Sequence, residues 1–108
     1  MKSALAPAVS NPLLIETQNL KTAALFFRAV NHPFRQRILH LLHKHDRLTV
    51  TELYIKLRRE QCVVSWHLSI LREAGLVHTA RAGKNIFYAV NYEQLEQLHR
   101  FAGGLLKK

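Results

Sequence analysis

Gln61, Cys62, Ser65, Ser69 and Arg72 recur at three- and four-residue spacing. On a helix turning ~100° per residue they share one face, with Trp66 and Glu73 beside them. An amide, two hydroxyls and a guanidinium on one helical face can hydrogen-bond base edges in a major groove or grip phosphate oxygens. Val64, Leu68, Leu71 and Ala74 fall on the other face, with His67 at its edge, and can bury themselves in a small core. Gly75 is expected to stop the helix, because glycine tolerates left-handed geometry. Any amphipathic helix shows this periodicity, and most do not touch nucleic acid. Charge and context must therefore separate the two readings.

The charge is one-sided. Sixteen Lys and Arg against seven Asp and Glu leave a formal charge of +9 on 108 residues. Such a surface suits a polyanion. Arg35, Arg37, Lys56, Arg58, Arg59, Arg72, Arg81 and Lys84 cluster around the polar-faced helix, which favours nucleic acid over diffuse charge, and double-stranded DNA is the expected partner. The single cysteine, Cys62, cannot pair within the chain, and a reducing, cytoplasmic compartment is the simplest expectation. No apolar run approaches the ~20 residues that span a bilayer, so no membrane partner is expected. Met1 to Pro12 lacks the sustained apolar core of a secretory signal.

Other chemistry finds little support. Ser65 and His67 are two residues apart and do not share a helix face. Acidic pairs are few, and there is no Gly-rich phosphate loop, so no enzyme is expected. His40, His43 and His45 form the densest group of the seven histidines, but no carboxylate or thiolate stands at a useful spacing. No metal or cofactor is expected. His67 should pack at the flank of its helix or donate to backbone. Cys62 lies at the exposed start of the helix. Its oxidation could weaken DNA contact, although a small residue tolerated at the surface is the commoner case. Trp66 either faces DNA or covers a neighbouring helix.

The elements that must position these groups follow in order. Residues 1–12 read as a flexible arm, 13–102 as one domain and 103–108 as a tail. A helix over 13–30 carries Leu13, Leu14, Leu20, Ala24, Leu25, Phe26, Phe27 and Val30, more than one apolar stripe. Two-sided burial within the monomer would satisfy it, but in so short a chain a second subunit is the favoured cover. Pro33 starts a helix reaching about His45. Asp46 to Leu48 is a turn. Thr49 and Glu52 form a capping box for a short helix that turns Leu53 and Leu57 inward. Residues 58–60 turn the chain into the helix at 61–74, giving a helix-turn-helix whose turn has no glycine. Residues 76–81 and 86–90 are strands around the loop Ala82 to Asn85. Arg81, Lys84 and Asn85 sit near its tip, able to meet phosphates or a minor groove. Asn91 and Gln94 suggest a second capping box. A last helix from Tyr92 to about Ala102 carries Leu95, Leu98 and Phe101, and Gly103-Gly104 should fray it. The fold is thus mainly α with a small β-hairpin: about five helices and a two-stranded wing.

The run Val64-Ser65-x-His67-Leu68-x-x-Leu71-Arg72-x-Ala74-Gly75-Leu76-Val77 closely resembles the recognition helix of the arsenic-repressor (ArsR) family of bacterial winged helix-turn-helix regulators. His32-Pro33-x-Arg35-x-Arg37-Ile38-Leu39-x-Leu41-Leu42 is similar to that family's opening helix, where Asp more often precedes the proline. The resemblance runs from about Val30 to about Val90. It implies a dimeric repressor, often released from its operator by a metal or another inducer, with the last helix in the place of the family's dimerisation helix. A homodimer joined through its first and last helices is therefore expected, and its two-fold symmetry would match an inverted-repeat operator. Two family metal sites are missing their ligands. Tyr54 and Lys56 occupy the cysteine positions of one. Tyr92, Gln94, Leu105 and Lys108 occupy the other.

Overall fold

The computed structural model describes residues 17–106. The N-terminal arm, the predicted helical residues 13–16 and the last two residues lie outside them. Five helices and three strands follow in the order α1 (Thr17–Val30), α2 (Pro33–His45), β1 (Leu48–Thr49), α3 (Val50–Leu57), α4 (Gln61–Glu73), β2 (Val77–Ala82), β3 (Asn85–Val90) and α5 (Tyr92–Leu106).

Local chemistry sets the breaks. His32 is extended (φ −157°), its ring Nδ1 accepts the Phe34 N–H at 3.1 Å, and Pro33 opens α2. Thr49 and Glu52 complete the expected capping box: Thr49 Oγ1 accepts from the Glu52 N–H at 3.1 Å, and Glu52 Oε1 from the Thr49 N–H at 2.9 Å. Helix α4 ends in a Schellman motif. Gly75, at φ 79°, donates to the Arg72 carbonyl, and Leu76 to that of Leu71. Helix α3 ends the same way without a glycine. Arg58, at φ 57°, donates to the Ile55 carbonyl and Arg59 to that of Tyr54. A side chain in this left-handed conformation costs about 1–2 kcal/mol.

The core lies where the three central helices meet the sheet. Ile38 and Leu42 of α2, Leu53 and Leu57 of α3, and Val64, Leu68 and Leu71 of α4 are buried with Leu76, Val77 and Val90. Burial of each large aliphatic side chain contributes roughly 1.5–3 kcal/mol. The expected inward set of α4 is therefore observed, and it fixes which face is left outside.

Three expectations are corrected. Leu48 belongs to a strand: Leu48 pairs with Tyr88 and Thr49 with Phe87, so the sheet has three strands in the order β1-β3-β2. The third strand satisfies backbone groups on the edge of β3 that a two-stranded wing would leave open. The hairpin loop is only Gly83-Lys84, because Ala82 and Asn85 already pair. Helix α5 runs through Gly103 and Gly104 to Leu106. Glycine weakens a helix by about 1 kcal/mol but does not end one unless the chain turns left-handed there.

Candidate nucleic-acid interface

Helix α4 is two-faced. Val64, His67, Leu68 and Leu71 are buried, whereas Gln61, Cys62, Ser65, Trp66, Ser69, Arg72 and Glu73 are exposed. Trp66 keeps 61% of its surface accessible, so it does not cover a neighbouring helix. Ser69 Oγ donates to the Trp66 carbonyl at 2.7 Å, which directs its proton inward and its lone pairs outward. Cys62 is a free, exposed thiol.

The predicted groups divide between two grooves. Ser65, Ser69, Arg72 and Glu73 line one together with Tyr88 of β3. Lys84 and Asn85 line another with Thr49, Val50, Thr51 and Glu52 at the start of α3, and Tyr88 borders this one too. Tyr88 was missed in the sequence. Strand alternation alone could not say which groove it would meet. Arg81 is exposed next to the tip, paired with Ile86 across the hairpin. Gly83 turns that tip at φ 66° with open space around it.

Two residues behave differently from their sequence reading. Arg35, counted among the surface cations, is 6% exposed. Its Nε donates to the Ala29 carbonyl at 2.7 Å, and one terminal nitrogen donates to the Arg28 carbonyl at 3.1 Å. The other terminal nitrogen lies 3.1 Å from His67 Nδ1. Guanidinium nitrogens only donate, so His67 Nδ1 must accept and its ring proton sits on Nε2. His67 is thus neither a flank residue nor a backbone donor. The rings of His32, Phe34 and Trp66 lie within 4.9 Å of its centroid. Burial first, then the nearby His32 ring and the Arg35 and Arg59 guanidiniums, hold its imidazole below the ordinary value and favour the neutral form.

Among the described residues, no three His, Cys, Asp or Glu side chains converge as metal ligands. His40, His43 and His45 are exposed, and His43 Nδ1 is 2.8 Å from the Tyr92 hydroxyl. Tyr54 packs against the core while Lys56 is exposed. No helix among the described residues is long and apolar enough to cross a membrane.

Residues 31–80 match the helix-turn-helix domain family. The chain is 34% identical over 82 residues to the transcriptional repressor PagR of Bacillus anthracis, covering 76% of this chain and 82% of PagR. The chain belongs to the ArsR family of winged helix-turn-helix transcriptional regulators. The PagR crystal structure superposes with a TM-score of 0.67 at 30% identity, over 81% of this chain and 99% of that one. An ArsR-like regulator from Rhodococcus sp. RHA1 shares the fold with a TM-score of 0.76 at 22% identity, over 82% and 83% of the two chains. The transcriptional activator HlyU of Vibrio cholerae is 32% identical over 77% of this chain and 80% of its own length. As a member of this ArsR family, the chain is a DNA-binding transcriptional regulator.

Proposed function

We propose that the chain is a homodimeric, cytoplasmic repressor that reads an inverted-repeat operator in duplex DNA. One observation carries the reading: α4 buries its whole apolar face and leaves Gln61, Cys62, Ser65, Ser69 and Arg72 exposed on the other. Gln61 and Ser65 suit base edges, Ser69 and Arg72 suit edges or phosphates, and Trp66 stands exposed beside them. Arg81, Lys84 and Asn85 on the wing anchor the strand alongside. Pairing is supported by a mostly apolar groove between α1 and α5, lined by Ala23, Phe26, Leu98 and Phe101 with Thr22 and Gln97. A two-fold pair spaces its recognition helices about 34 Å apart, one turn of duplex.

The test is a gel shift with the chain's own upstream promoter in excess competitor DNA, with mass measured by light scattering. A discrete complex of two chains per site is expected. Binding that does not rank sequences would make it an architectural protein instead. Absence of any complex would leave a winged helix used for protein contact.

A further inference from the structure

The turn before α4 carries more charge than the proposed reading uses. Arg58 and Arg59 are exposed there, and no side-chain partner of Arg58 is found among the described residues. The Arg59 guanidinium lies 4.9 Å from the Phe34 ring centroid, and Arg37 reaches the same ring at 5.8 Å. Arg37 in turn shares a groove with Lys56. Four cations thus form one band beside the N-terminal end of α4. Its acid is Glu60, 3.8 Å from Arg59 with side chains 74% and 45% exposed, a pairing that contributes little in water.

Arg58 occupies the same position in its Schellman motif that Gly75 occupies in the next one, at φ 57° against 79°. Glycine would hold that conformation without strain. A long cation held there at a cost in stability points to a use for its charge. A helix about 10–12 Å across fills a major groove about 12 Å wide, so groups beside its leading end stand over the bounding phosphates.

We propose that Arg58 and Arg59 form a phosphate clamp on the DNA strand at the rim of the groove that α4 enters. The left-handed turn presents Arg58, and the Phe34 ring holds Arg59 in place. The inference rests on the DNA-reading role of α4. The contact is to backbone and carries no sequence preference of its own.

The experiment compares the full-length wild type, Arg58→Gly and Arg59→Gln by fluorescence anisotropy. Each is titrated on its promoter site and on an unrelated duplex across a salt series, and thermal melting is recorded. Arg58→Gly should raise the melting temperature and yet bind about fivefold more weakly at physiological salt, equally on both duplexes. Its salt slope should flatten by about one unit, and Arg59→Gln should flatten likewise without stabilising. Unchanged slopes for both variants, with wild-type binding intact, would overturn the clamp alone. A loss confined to the promoter duplex would overturn it too, since a backbone contact cannot rank sequences. A wild type that binds neither duplex would overturn the DNA-reading role, and the clamp with it.

Discussion

Arg35 of α2 donates to His67 of α4 across 3.1 Å while its remaining nitrogens hold the Ala29 and Arg28 carbonyls. One buried side chain therefore ties the end of α1 to the inner face of α4. Arg35→Met would fill similar volume but leave those acceptors unpaired, at about 1–3 kcal/mol for each buried one. We expect a loss of roughly 3 kcal/mol in urea unfolding, and only partial recovery with Arg35→Lys, which lacks the planar fork. Wild-type stability in Arg35→Met would show that the tie is dispensable.

The same pair predicts a pH dependence. The folded-state value of His67 lies below the ordinary histidine value of about 6.5. Between the two values the unfolded chain binds a proton that the folded chain refuses. The contribution of this site is therefore complete above about pH 6.5 and falls as pH drops to the folded value. Subtracting the stability of His67→Gln from that of the wild type should give a difference that rises with pH below that point and is level above it. A difference constant from pH 5 to 7.5 would sink the assignment.

Gly75→Ala isolates backbone strain from crowding. A methyl group there would meet only the Gln94 side chain, at 3.9 Å, which is ordinary contact. The expected cost is the left-handed conformation alone, about 1–2 kcal/mol. Gly83→Ala, with nothing within 4 Å, should cost a similar amount. Chemical denaturation of both decides it; a much larger loss at Gly75 would mean the Gln94 side chain cannot accommodate it.

Lys84 and Gln61 should fail in different ways. Lys84→Ala is expected to weaken binding to every duplex and flatten the salt slope by about one unit. Gln61→Ala should instead reorder sequence preference, with about 1–3 kcal/mol lost on the best site and less elsewhere. Equal losses on all DNAs would remove Gln61 from base reading, and an unchanged slope would remove the wing tip from contact.

Pairing through α1 and α5 can be tested at Phe101, which is 46% exposed yet packs its ring tilted against Phe27 with centroids 5.9 Å apart. Phe101→Glu should shift the mass measured by light scattering from two chains to one while leaving helical content intact. A variant that stays paired would place the contact elsewhere.

Much of this arrangement was legible in residue order. The alternation of Val64, Leu68 and Leu71 with Ser65, Ser69 and Arg72 foretold which side of α4 is buried, because a 3.6-residue period leaves little freedom. Thr49 and Glu52 foretold the start of α3 for a similarly local reason. What escaped was long-range. Nothing near Arg35 announces that its partners are Ala29 and, 32 positions on, His67. Strand β1 is two residues long and exists only because β3 offers it an edge. Arg58 in a left-handed turn could not be foreseen where local preference asks for glycine.

That two-residue strand has a mechanical consequence. Thr49 is at once the partner of Phe87 and the cap of α3, so the hairpin is fastened to the first helix of the helix-turn-helix. Wing and helices of one chain are thereby tied into a single jaw. In the proposed dimer, the adjustable dimension is then the gap between two jaws, governed at α1 and α5, and an effector that loosens DNA would act by resetting that gap.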